Sequence, residues 1–367
     1  MSVSIDISGL RQEQIAVVPS PLAELGMALH ALSEPGHHPG LRGWATGVSA
    51  RLDPHLANRM CEADFLWRTT FSDLFLPCAG VAGGVPPGAT LAEELDLVDK
   101  LSDEQFVDAA LEFTCASTYD SNSLELLSDP EMRQRSLELA ASRGPQQLGF
   151  TMRLLEDPPS VRAWLRQFVE DCDEAFFAET WSRLRPQLAA DARHKTDLLR
   201  RKGLAEALAA ASPMVTLDET AGRIVVDKLA TGHTVTGDGG LLLVPTSLGW
   251  PHLMVLPRHG WQPVIHYPVT SPTLTAPSSV ERLTLRMAAL SHPVRIQLCR
   301  HLARSVYTTG ELAKALGMTA PEISRHLSVL KKAGLVTTRR RGRYVLHQLD
   351  VTVVARLGSD FLEGLLR

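Results

Sequence analysis

The sequence predicts an α+β chain in two parts. A mostly helical N-terminal domain with a small antiparallel sheet comes first, then a C-terminal unit of short helices closed by a basic hairpin. Three observations predict it. Residues 54–212 carry long stretches with apolar residues at helical spacing. Short apolar runs broken by Gly, Pro and Asp follow over about 213–269. From residue 280 a helix pair, a glycine turn, a further helix and an arginine-rich hairpin come in succession.

Length and charge bound the function. The 367 residues suffice for two or three domains, and 44% hydrophobic content is that of a globular protein. The net charge of −4 hides a strong asymmetry. From Pro277 onward there are 15 Lys and Arg against 6 Asp and Glu, a net of +9, while the remainder carries 22 against 35, a net of −13. One part is suited to a polyanion and the other repels it. The five cysteines are widely spaced and form no CxxC pair, which favours reduced thiols in the cytoplasm. The first ten residues lack the basic and apolar regions of a signal peptide, and no apolar stretch approaches membrane-spanning length.

Along the N-terminal domain (1–269), Val3, Ile5 and Ile7 alternate with polar residues and predict an opening strand. Pro19 and Pro21 lead into a helix over 22–33, followed by a Gly/His/Pro loop over 34–43. Helix then dominates about 20–212, broken by a loop at 78–90. One helix is expected over 160–185 and a second over 186–211, divided at Pro186. Strands are expected near 215–217, 224–226, 241–244, 253–256 and 264–267, and the Ser/Thr/Pro-rich segment 270–279 reads as a linker.

The C-terminal unit (280–367) is the most specific part. Helices are expected over 281–290 and 294–303, then a third capped by Thr309, with Leu312, Ala313 and Leu316 turned inward. Gly317 supplies the bend, and Thr319 with Glu322 forms a capping box for the fourth helix, in which Pro321 occupies the tolerant first turn. Ile323, Leu327 and Leu330 recur at core spacing. Ala320, Pro321, Ser324 and Arg325 then face outward at the N-terminal end, where a recognition helix reads base edges. Arg325 has the fork to bond a guanine at O6 and N7, while Ala320 and Pro321 offer apolar contact. Thr319, Ser328, Lys331 and Lys332 suit phosphates. Arg339, Arg340, Arg341 and Arg343, with Tyr344, make a basic hairpin tip that can follow phosphate or enter a minor groove. A last apolar helix over 351–366 completes the unit. This order is that of a winged helix-turn-helix.

Residues 289–302, 311–336 and 339–349 resemble the ArsR/SmtB family of bacterial transcription regulators. The resemblance covers about a quarter of the chain. It implies a homodimer built on the first and last helices of the unit, bound to a pseudo-palindromic operator in double-stranded DNA, with repression as the usual outcome. The family's paired-cysteine motif is absent from residues 305–313, and its last-helix ligands are reduced to Asp350, with no His or Cys over 351–367. Both usual metal positions are thus missing. The N-terminal region resembles that of a long, chiefly actinobacterial subgroup, through residues 19–25 and 241–251.

Other candidates read as structural. His252, His259 and His266 recur every seven residues, which places alternate members on opposite faces of a continuous strand, although the turn at 257–260 weakens that argument. They read as ordinary histidines, and His37 and His38 as solvated loop residues. Cys299 reads as a small buried hydrophobe. Asp171, Asp173 and Glu174 around Cys172 read as a solvated helix face, and the chain carries no GxSxG, P-loop, dinucleotide or HExxH motif. The basic cluster 194–202 reads as another solvated face. Trp250 and Trp261 bracket the last expected hairpin and are the candidates for a ligand-pocket rim. No metal site, cofactor or catalytic residue is expected. The expectation is a cytoplasmic, dimeric DNA-binding regulator controlled through its N-terminal domain by a non-metal signal, a small-molecule effector among the options. The alternative is an enzyme or ligand-binding protein with an accessory winged unit.

Overall fold

The computed structural model describes residues 2–68, 71–115, 125–228, 231–269, 280–303, 305–341 and 344–350, with short pieces of 353–361. The chain divides into two compact units, Met1–Ser271 and Pro272–Leu366.

The first unit opens with β1 (Ser2–Asp6) and β2 (Ile15–Val17). Helices follow: α1 (Pro21–Ser33), α2 (Arg42–Ser49), α3 (Pro54–Glu62), α4 (Leu91–Val98), α5 (Asp103–Cys115), α6 (Pro130–Arg143), α7 (Pro145–Glu156), α8 (Pro158–Cys172), α9 (Ala178–Lys202) and α10 (Leu204–Ala211). Proline in the first turn starts several of them behind a capping side chain. Ser20 accepts from the Ala23 N–H before α1, and Asp53, Asp129 and Asp157 cap α3, α6 and α8. The strands β3 (Val215–Asp218), β4 (Arg223–Asp227), β5 (Gly232–Val235), β6 (Leu241–Thr246), β7 (Met254–Leu256) and β8 (Val264–Pro268) end the unit.

The mixed helix-and-sheet class holds, and two details are corrected. In place of one small antiparallel sheet there are two four-stranded sheets, in the orders β3-β4-β1-β5 and β2-β6-β8-β7. Both are mixed, because β1 runs parallel to β5, and β6 runs parallel to β2 and β8. The reason is visible in β6, whose six residues are all buried. Leu242 and Val244 enter the helical core with Trp67, Phe75, Phe106 and Phe168, while Leu241 and Leu243 enter a second core with Ile5, Ile224 and Tyr267. A strand covered on both faces reads as a continuous apolar run and takes parallel neighbours. The second correction is the expected break at Pro186. The chain instead runs from α8 through a π-helical turn (Asp173–Phe177) into α9, with Pro186 inside it. The break falls at Gly203, whose φ of 91° is cheap only for glycine.

The second unit contains α11 (Val280–Leu290), α12 (Pro293–Leu302), β9 (Tyr307–Thr308), α13 (Thr309–Leu316), α14 (Ala320–Lys332), β10 (Val336–Arg341) and β11 (Tyr344–Leu349). The hairpin strands pair antiparallel from Val336↔Leu349 to Arg341↔Tyr344, and β9 adds a third strand beside β11. The core gathers Leu298, Leu302, Leu312, Ile323, Leu327 and Leu330. Thr308, not Thr309, caps α13, because the capping-box acid, Glu311, stands three residues after Thr308. Thr309 instead meets the buried His347, with its hydroxyl 3.1 Å from Nε2. The linker expected at 270–279 lies outside the described residues. Of the expected last helix, 353–354, 357–358 and 360–361 are described and are helical. Asp350 starts it, accepting from the Val353 N–H at 3.2 Å.

Candidate nucleic-acid interface

The helix-turn-helix is set by local chemistry. Gly317 adopts the left-handed conformation (φ 64°) and ends α13. Two residues later the Glu322 carboxylate accepts from the Thr319 N–H at 2.9 Å and from its hydroxyl at 2.7 Å. Those hydrogen bonds hold the Glu322 carboxyl below its ordinary range. On α14, Ile323, Leu327 and Leu330 are buried. Ala320, Pro321, Ser324, Arg325, Ser328, Lys331 and Lys332 are all exposed on the other side of the helix. Thr319 is exposed as well, but its hydroxyl proton is engaged by Glu322.

The hairpin carries the remaining candidates. Arg339 and Arg340 are exposed on β10, opposite Leu346 and Val345. The backbones of Arg341 and Tyr344 form the last pair of the ladder. Arg343, with Gly342, lies outside the described residues.

One residue that the sequence reading passed over belongs to this surface. His326 follows Arg325 on α14, half-buried, with its ring 4.8 Å from that of His292. Partial burial, then the neighbouring His292, Arg295 and Arg325, hold its pKa below the ordinary value. A neutral imidazole there can donate or accept. Its position one residue after Arg325 was the available signal.

In the first unit the two tryptophans part company. Trp261 is buried, its ring packed against Gly80, where an added Cβ would fall 2.6 Å away, and the Arg258 guanidinium lies 5.1 Å from the ring centre. It also borders a hollow of about 310 Å³ with Gly83, Gly84, Thr234 and Asp238. Trp250 does not line that hollow. The backbone carbonyl of Trp250 instead accepts from His38 at 2.7 Å.

The histidine expectations also change. His266 is fully buried beside Phe71, His259 is exposed, and His252 stands apart from both, in a group with His30, His37 and His38. The heptad spacing therefore makes no site, and His38, expected in solvent, is 1% exposed. Cys172 is fully buried, and burial pushes its thiol well above the ordinary range, so it is no nucleophile. Asp171 pairs with Arg59, and Lys195, within the basic cluster, is buried against Asp191 at 2.6 Å.

The class of fold is thereby defined: a winged helix-turn-helix unit joined to a large additional unit. Residues 1–273 match a family of unknown function, DUF5937, and residues 290–339 match a helix-turn-helix domain. The chain belongs to DUF5937, and its C-terminal unit is of the ArsR/SmtB family. It is 42% identical over 92 residues to the HTH-type transcriptional repressor SmtB of Mycobacterium tuberculosis, covering 24% of this chain and 68% of that protein. It is 35% identical over 75 residues to a biofilm growth-associated repressor of Agrobacterium fabrum, covering 20% of this chain and 64% of that one, so it spans a little under two thirds of that relative. Among solved structures it is similar to the transcriptional repressor BigR from Xylella fastidiosa, at 32% identity over 22% of this chain and 81% of that chain, with a TM-score of 0.20. Among the described residues no helix is long and apolar enough to cross a membrane.

Proposed function

We propose that the chain is a cytoplasmic, homodimeric, sequence-specific DNA-binding regulator, a repressor in outcome, that is controlled through its N-terminal unit and is not an enzyme. The observation that carries this reading is the division of α14. Three apolar residues anchor one face in the core, and the opposite face presents Ser324, Arg325, Ser328, Lys331 and Lys332 to solvent beside a basic hairpin. Phosphate contacts from the lysines and from Arg339 and Arg340 set register, and Arg325 reads a base edge. The dimer is supported by apolar side chains left exposed on the two helices that the family uses: Leu285 and Met287 on α11, and Phe361 on the last helix. Two copies then place recognition helices about 34 Å apart, in successive major grooves. The two curated relatives described above are repressors by name, which supports the sign of regulation.

Fluorescence anisotropy of the full chain on fragments of its own promoter, repeated over a range of salt, tests the reading. Binding to one fragment over its shuffled sequence, falling steeply with salt, is expected. Equal affinity for both fragments at low salt, or affinity indifferent to salt, overturns it.

A further inference from the structure

We infer that His30, His37 and His252, with His38 beside them, form a binding site for a first-row divalent transition metal, zinc being the simplest occupant, in the N-terminal unit. This stands on the first unit alone and does not depend on the DNA-binding reading. The ligands missing from the winged unit leave this cluster in the N-terminal unit untouched.

Four imidazoles from three separate stretches converge. His30 lies in the last turn of α1, His37 and His38 in the following loop, and His252 ahead of β7. All six ring-to-ring distances fall between 4.9 and 6.5 Å. One nitrogen each from His30, His37 and His252 lies within 4.8 Å of the others. Tetrahedral ligands at a zinc–nitrogen distance of about 2.05 Å sit about 3.3 Å apart. The Nε2 atoms of His30 and His252 already stand at 3.2 Å. His37, half-buried in the loop one residue after Gly36, is the ligand that has the remaining distance to close.

The hydrogen bonds prepare the nitrogens. The Nδ1 of His30 donates to the Trp67 carbonyl at 2.7 Å, and that of His38 to the Trp250 carbonyl, also at 2.7 Å. A carbonyl only accepts, so each Nδ1 carries the proton and each Nε2 keeps its lone pair. This is how backbone carbonyls orient metal-ligating histidines. The Nε2 of His38 and the Nδ1 of His37 are buried and have no hydrogen-bond partner among the described residues. A cation among the rings gives these nitrogens a partner and takes the place of the proton that the His252 Nε2 donates to the His30 Nε2. Burial favours the neutral rings that a metal needs. The surrounding charges are mixed. Glu34, paired with Arg68, adds negative charge near His30 and His37, and Lys228 lies on the His252 side.

The test uses the untagged full chain, stripped with chelator and titrated with cobalt(II) under visible absorption, then challenged with zinc(II). One equivalent per chain, with the intense bands of tetrahedral nitrogen ligation and displacement by zinc, is expected. His37→Ala and His252→Ala each lower affinity at least ~100-fold, since even losing an outer-shell partner costs about 10–100-fold. His259→Ala, exposed and outside the cluster, leaves it unchanged. His37→Ala changes a loop side chain, and a melt matching the wild type shows that the fold is kept. No stoichiometric uptake overturns the inference, as does uptake that the His37→Ala/His252→Ala double variant leaves intact.

Discussion

The guanidinium of Arg286 meets the carboxylate of Asp360 at 2.7 Å, with both side chains less than a tenth exposed. The pair joins α11, the first helix of the winged unit, to its last helix. Removing one partner of a buried pair costs far more than the pair contributes, because the remaining charge stays buried. Asp360→Ala is expected to destabilise this unit by about 3–5 kcal/mol. Denaturant melts of the full chain, followed by a probe in the second unit, measure it. A loss below about 1 kcal/mol would show that the pair is solvated. The same variant should weaken the proposed dimer, since both partner helices carry its exposed apolar residues, and sedimentation reads that directly.

The capping box at the start of α14 gives a smaller effect of different shape. Thr319→Ala removes a cap and the hydroxyl that Glu322 binds, at a cost of about 1 kcal/mol. Glu322 is held in its charged form by those hydrogen bonds, so its contribution is present above the unfolded carboxyl pKa and is lost as pH falls through the lower folded value. Thr319→Ala should therefore cost less in acid than at neutral pH. A melting difference independent of pH would rule out the hydrogen bond as the cause.

For DNA, the helix and the hairpin should respond differently. Arg325→Ala is expected to relax preference at one base pair, by about 1–3 kcal/mol, while shuffled DNA still binds. Arg339→Ala and Arg340→Ala should weaken all sequences alike and reduce the salt slope by about one each. Competition binding against a set of single-base operator variants separates the two patterns. Loss of preference at no position in Arg325→Ala would remove it as a base reader.

These contrasts follow from how far apart the determinants lie in sequence. The winged unit was legible because its signals are local. A glycine at the bend, an acid three residues after a threonine, and apolar residues at 323, 327 and 330 each act within a few turns. Even the slip from Thr308 to Thr309 was local, and the position of Glu311 resolves it. The two mixed sheets were not legible, because β1 pairs with β5 and β2 with β6 across more than two hundred residues. The three-residue β2 carries too short a pattern to register alone. The histidine cluster is the extreme case. His30 and His252 are 222 residues apart, and nothing near either one distinguishes it from a core histidine.

Two buried carboxyls in the first unit give a pH dependence with a defined sign. Glu94 is fully buried and accepts from the Ser20 hydroxyl at 2.9 Å and the Leu22 N–H at 2.6 Å, with its other oxygen unpartnered among the described residues. Glu24 accepts from the Ser247 and Leu248 N–H groups at 3.0 and 2.8 Å. Burial outweighs these hydrogen bonds and pushes the carboxyls up to about 8 and about 7 respectively. In the unfolded chain both titrate near 4.5. Between those values the folded state holds protons that the unfolded state has released, so stability falls as pH rises. The contribution is fully present below about 4.5 and is lost by about 8. Glu94→Gln keeps the shape and cannot ionise, so its melting temperature relative to wild type should rise as pH increases across that window. Glu24→Gln should do the same, levelling off nearer 7. A wild-type advantage that stays constant or grows with pH would mean that these carboxyls are ionised in the folded protein, with their backbone and hydroxyl donors outweighing the cost of burial.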